Sequence, residues 1–159
     1  MTKKSRSLAI FVFIAILAGT GCKFNNDHDN MNDDFPLLTL SYSTYWGGTD
    51  GLTEGKAVAV DREGYIYIAG DTHCTDFPLK NPLIANKSGG SMAFITRFSP
   101  DGQSIVFSTY LGGNGYDHCF DMILDNQGNI IVVGGTDSDN FPLKNNLHSA
   151  IYPPNLPAV

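Results

Sequence analysis

Two kinds of apolar pattern run along this chain. From Leu8 to Leu17 (LAIFVFIAIL) every residue is apolar. Further on, short apolar runs alternate with turn-forming clusters. Lys56 to Asp61 and Tyr65 to Asp71 flank the turn Asp61–Gly64. The aspartate can accept a bond from the turn's own backbone, and glycine takes positive φ at little cost, so the pair predicts a hairpin. Ala93 to Ser99 and Ser104 to Leu111 flank Pro100-Asp101-Gly102, where proline presets φ, and predict a second hairpin. Cys119 to Asp125 and Asn129 to Thr136 predict a third, and Leu38 to Trp46 reads as a lone strand. Ala57 to Val60 and Ile130 to Val133 are consecutive apolar residues rather than an alternating pattern. Such runs belong to sheets covered on both faces.

The hairpins recur because the sequence recurs. Ser43-Thr44-Tyr45-Trp46-Gly47-Gly48 returns 65 residues on as Ser108-Thr109-Tyr110-Leu111-Gly112-Gly113. Asp61-Arg62-Glu63-Gly64 returns 64 residues on as Asp125-Asn126-Gln127-Gly128. Asp76-Phe77-Pro78-Leu79-Lys80-Asn81 returns at the same offset as Asn140-Phe141-Pro142-Leu143-Lys144-Asn145. Three blocks in one order at a near-constant offset mark a repeat of about four strands. One residue is lost between the second glycine and the aspartate, where a loop tolerates it.

Ser-Thr-Tyr-x-Gly-Gly, then Asp-x-x-Gly, then Asp/Asn-Phe-Pro resembles the bacterial SBBP-type β-propeller repeat, over roughly Ser41 to Asn145. The resemblance implies an all-β chain, a partial β-propeller of four-stranded antiparallel blades, in an exported protein. It carries no catalytic residues across. The repeat region is residues 38–159, with repeats at about 41–104 and 105–159, the second incomplete. Gly47-Gly48 and Gly112-Gly113 then sit at strand ends where backbones approach closely. Phe77 and Phe141 are expected to pack between blades, with Pro78 and Pro142 fixing the exit direction. Propellers close with roughly 4–8 blades, so two repeats do not make a ring. A truncated frame, a piece of a longer protein, self-assembly of several chains, and an open or unstable fold are the readings this leaves.

The first apolar run has a different meaning. Ten residues of helix cannot span a bilayer core roughly 30 Å thick. With Lys3, Lys4 and Arg6 before it, the run reads as the core of an export signal over residues 1–21. Ala18-Gly19-Thr20-Gly21-Cys22 resembles a bacterial lipobox, with Gly19 where the pattern prefers leucine. The resemblance implies cleavage before Cys22, lipid such as palmitate on that cysteine, and a membrane partner reached through it. Lys23 rather than aspartate follows, which implies an outer-membrane lipoprotein of the cell envelope; a secreted or periplasmic protein is the alternative. Residues 22–37 are too polar to build a core and read as a solvated tether. A calcium loop from Asp27, His28, Asp29 and Asp33 lacks the turning glycine and the closing acid.

Charge narrows the partners. Loss of residues 1–21 removes three cations and no acid, taking the formal charge from −6 to −9. That excludes a nucleic-acid partner and docking on anionic headgroups. His73-Cys74 and His118-Cys119 form a repeated dipeptide at non-equivalent positions. A Cys74–Cys119 disulfide, a two-histidine two-cysteine zinc site, and two unrelated thiols are all open readings. Asp50, Glu54, Asp117 and Asp121 follow the glycine pairs and could hold calcium or act as a carboxylate pair, but solvated loop acids are the commoner case. No G-x-S-x-G or H-E-x-x-H motif is present. The expectation is a non-enzymatic binding or scaffold module for a protein or glycan ligand, without cofactor or metal. A larger propeller enzyme acting on polysaccharide, of which this is a fragment, and a truncated product without its own activity are the alternatives.

Overall fold

The computed structural model describes residues 12–19 and 38–147 of the chain. Every element among them is a strand: β1 (Val12–Gly19), β2 (Leu38–Trp46), β3 (Thr53–Val60), β4 (Ile66–Thr72), β5 (Met92–Phe98), β6 (Ile105–Leu111), β7 (Asp117–Leu124) and β8 (Ile130–Thr136). They fall into two compact units. In the smaller, β1 and β2 form a two-stranded sheet. β2 has the bounds expected of a strand. β1 lies in the stretch assigned to the export signal, where Val12, Ile14 and Ile16 are β-branched and favour extended chain. Cys22 and the tether lie outside the described residues, as does the chain after residue 147.

The larger unit holds a four-stranded sheet in the order β3-β4-β5-β6 and a two-stranded sheet, β7-β8. All neighbours in both are antiparallel. This is the all-β blade architecture expected from the repeat. β3–β4 and β7–β8 are the same hairpin twice. Asp61 N–H bonds to the Tyr65 carbonyl at 3.1 Å and Asp125 N–H to that of Asn129 at 3.0 Å. The Asp61 carboxylate accepts Glu63 and Tyr65 N–H, and that of Asp125 accepts Gln127 and Asn129 N–H. Gly64 and Gly128 close the turns at φ +86° and +80°, which explains why glycine stands at both.

The other end of each hairpin carries a β-bulge, at Lys56 and at its counterpart Phe120. β3 therefore starts three residues before the expected Lys56, and β7 two before Cys119. The apolar pattern hides these residues because Thr53-Glu54-Gly55 is polar and the register shifts just after it. The bulge also brings one backbone onto the other. A β-carbon at Gly70 would lie 1.9 Å from the Glu54 carbonyl oxygen, and one at Gly134 would lie 2.0 Å from that of His118.

The two sheets of this unit pack face to face. Tyr67, Ala69 and Ala93 of the first meet Cys119 and Met122 of the second, with Ala57, Ala59, Ile95, Leu124, Ile130 and Val132 against them. Each side chain of valine to phenylalanine size buried here contributes about 1.5–3 kcal/mol. The opposite face of the first sheet carries Ile66, Ile68, Phe94 and Phe98, also buried. Phe77 is placed differently from expectation. It packs within its own sheet, on Phe94 (ring centroids 4.7 Å) and Tyr110 (5.9 Å), rather than between blades. The reason is the buried Tyr110 hydroxyl, which bonds to the Cys74 carbonyl at 3.0 Å and draws the loop back over β5 and β6.

Two glycine substitutions separate crowding from backbone conformation. Gly134→Ala is expected to cost about 3 kcal/mol, because backbone must move. Gly128→Ala, with nothing within 4 Å of the new carbon, should cost only about 1 kcal/mol for its left-handed conformation. Urea unfolding of both variants checks the difference.

Candidate functional site

The repeated motif residues build a clasp that closes the open end of each hairpin. In the first repeat the Asp76 carboxylate accepts Thr49 N–H at 2.8 Å and the Thr49 hydroxyl. Asp50 reaches the other way, accepting Thr75 N–H at 2.9 Å and the Thr75 hydroxyl. In the second repeat Asn140 Oδ1 accepts Asn114 N–H at 2.7 Å, and Asn114 Oδ1 accepts Asp139 N–H at 3.1 Å. The second glycine of each pair leaves room for this. A β-carbon at Gly48 would lie 2.2 Å from Asp76 Oδ1, and one at Gly113 would lie 2.3 Å from Asn140 Oδ1. Gly112 stands similarly against Asp117, and Gly47 is half-buried beside the clasp. Pro78 is half-buried and Pro142 exposed.

Asp50, Cys74 and Asp76 come within 4.8 Å of one another. Each already has a partner: the two carboxylates hold the clasp, and Cys74 Sγ lies 3.4 Å from the Thr53 hydroxyl. The second repeat has Ser138 and Asn140 at the positions of Cys74 and Asp76, and keeps the clasp without the acid pair. The disulfide reading is corrected: Cys74 and Cys119 are both free and buried. Cys74 belongs to the clasp, whereas Cys119 faces the core between the repeats. Burial pushes the Cys119 thiol up to about 11.

The two histidines do meet. His73 and His118 line one cleft of about 470 Å³ at the seam between the repeats, with Glu54, Lys56, Asp71 and Phe120. Asp71 is its buried anchor. Its Oδ1 accepts Cys119 N–H at 2.6 Å, and its Oδ2 lies 3.2 Å from His118 Nδ1. Glu54 and Lys56 pair at 2.9 Å on the exposed rim. Phe120, the bulge residue, is 62% exposed and turns an aromatic face to solvent. Of the other candidate acids, Asp121 only caps Met122 N–H, and Asp117 is buried in the second clasp beneath Gly113 N–H and the Ser138 hydroxyl.

Sequence reasoning missed Asp71 and Arg97, because neither belongs to a repeated block. For Asp71 there was a signal: it follows the core-facing Tyr67 and Ala69 at the strand period of two, a carboxylate aimed inward. Arg97 lies 3.0 Å from Asp61 and 3.8 Å over the Tyr65 ring. Burial works against ionisation of Asp61, but hydrogen bonds from Tyr65 N–H, the Tyr67 hydroxyl and Arg97 hold its carboxyl below the usual range.

A four-stranded antiparallel blade whose face is covered by the next repeat's hairpin defines a β-propeller-repeat module. Residues 41–78 and 106–142 match the family model of the SBBP beta-propeller repeat, so the module carries this repeat twice. The second match begins in β6 and ends just after the Phe141 loop, so the family's unit spans the seam between sheets. No curated protein matches the chain.

The first clasp carries a pH signature. Hydrogen bonds from Thr49 pull the Asp76 carboxyl down to about 2, from an ordinary value of 3.8. A carboxyl depressed in the folded state stabilises it above its unfolded pKa and loses that contribution as pH falls through the folded one. The unfolding midpoint should therefore drop between about pH 4 and pH 2. Asp76→Asn, which installs the second repeat's own residue, should reduce that drop in urea titrations across the same range.

Proposed function

We propose that the protein is an exported, lipid-anchored, non-enzymatic binding module that takes a hydroxyl-rich ligand of the glycan class at the seam cleft. The observation that carries this reading is the exposed Phe120 ring beside Glu54, Lys56, His73 and His118. A phenyl face gives a sugar's C–H surface an apolar platform, and the flanking groups supply donors and acceptors for its hydroxyls. Two features support a binding role over catalysis. Asp71 uses both oxygens to hold β7, and the Asp50 and Asp76 carboxylates hold loop backbone. The support for export and anchoring is the basic start, the apolar run to Leu17 and Cys22. Stable anchoring takes more than one acyl chain. Cleavage before Cys22 removes β1, so the mature form presents β2 without that partner.

Detergent phase separation of cell envelopes tests the anchor. The native protein should enter the detergent phase and incorporate labelled palmitate, and Cys22→Ala should do neither. Native protein in the aqueous phase overturns the anchor. Titration with a panel of soluble oligosaccharides tests the site. At least one should bind, and Phe120→Ala should weaken it at least tenfold with the fold intact. Equal binding by the variant, or binding to none of the panel, overturns the glycan reading.

A further inference from the structure

The two hairpins are equivalent, but their surroundings differ. β4 has β3 on one side and β5 on the other, with Gly70 opposite Phe94 and Thr72 opposite Met92. β8, its counterpart, pairs with β7, and its other edge has no partner among the described residues. An open edge presents unpaired N–H and C=O groups to any extended segment.

A cavity lies beside that edge. It has a volume of about 330 Å³ and is lined by Val132, Gly134 and Phe141 of the second repeat and by Ala93 and Leu111 of the first. The equivalence identifies what fits. In the first sheet the side chain opposite Gly70 is Phe94, and its ring lies against Phe77. Gly134 and Phe141 stand 64 residues after Gly70 and Phe77. The cavity is thus the counterpart of the volume that Phe94 fills. An apolar cavity of about 150 Å³ already admits benzene, so an aromatic side chain has room.

One polar group points the same way. Asp117 is 1% exposed and lines this cavity. Its Oδ2 accepts Gly113 N–H at 2.7 Å and the Ser138 hydroxyl at 2.8 Å, but Oδ1 has no partner among the described residues. The first repeat has Thr53 there, with its hydroxyl satisfied by Thr72 at 2.9 Å. A buried acceptor left open costs about 1–3 kcal/mol, which an occupant carrying a donor recovers.

We propose that the β8 edge and this cavity form a docking slot for an extended polypeptide strand. The strand pairs antiparallel with β8, sets an aromatic side chain opposite Gly134 against Phe141, and offers a donor to Asp117. This mode is β-augmentation, in which backbone pairing supplies affinity and the pocket supplies selectivity. The slot is separate from the seam cleft and does not depend on the glycan reading.

The probe is a labelled synthetic peptide with the β5 sequence, SMAFITRFS, titrated into the full chain. Saturable one-to-one binding is expected, with slowed hydrogen exchange at β8 amides and none at β4. Alanine in place of the first phenylalanine of the peptide should weaken binding at least tenfold, as should Phe141→Ala in the protein. Asp117→Asn serves as a milder variant that keeps the shape of the site, and should weaken binding while leaving the unfolding midpoint near that of the native chain. Absence of saturable binding, equal binding by the alanine peptide, or protection at a strand other than β8 overturns the proposal. So does protection of β8 before any peptide is added.

Discussion

The structure depends on one short contact, the side chain after β4 or β8 that reaches across to the loop before β3 or β7. Asp76 meets Thr49 N–H, and Asn140 meets Asn114 N–H. A two-stranded hairpin is marginal by itself. Here each hairpin is closed by the Asp-x-x-Gly turn at one end and by the clasp at the other. The clasp forms only because Gly48 and Gly113 have no side chain, since a β-carbon would stand within 2.4 Å of the reaching oxygen in both. The glycine pair and the Asp/Asn-Phe-Pro block, about 27 residues apart, are thus two halves of one contact. That is why they recur together.

What recurs is frame, and what does not recur gives the seam its chemistry. Asp71 has glycine as its counterpart, at Gly135. Phe120 has Lys56, and His118 has Glu54. These residues meet because the bulges tilt the starts of β3 and β7 into the same cleft. The Asp71 carboxylate then ties the backbone of one repeat to the sheet of the other. A buried, hydrogen-bonded carboxylate is worth more there than on the rim, where water screens the Glu54–Lys56 pair.

The fold was legible to the extent that local rules control it. Turns, hairpins and the repeat were read directly, because Asp, Gly and Pro act through their own backbone. The strand starts at Thr53 and Asp117 were not, since a bulge breaks the period that reveals a strand. The place of Phe77 was missed for a related reason. Apolar periodicity says that a ring is buried but not which face buries it, and a hydrogen bond from Tyr110 to the Cys74 carbonyl decides that. The two thiols looked like a pair because His-Cys occurs twice. Their positions are not equivalent within the repeat, and the fold sends one to the clasp and the other to the core. Asp71 shows the limit most clearly, because its importance comes from the partner strand, which lies 48 residues away.

The packing of the two repeats also bears on how such a module extends. The first sheet covers Ala59, Tyr67 and Ala69 with the second repeat's hairpin. The counterparts in the second repeat are Ile123, Ile131 and Val133, and these are 56%, 50% and 58% exposed. They have the same orientation in the repeat as the residues already covered, so the interface is heterologous and each repeat offers the face that the next one uses. The frame can therefore be continued without any new contact. The seam cannot be copied in that way, because Asp71, Phe120 and His118 have unlike counterparts. Each added repeat would reproduce the clasp and the core while bringing different side chains to its own cleft, so the architecture fixes where a ligand is met and the unrepeated residues fix which one.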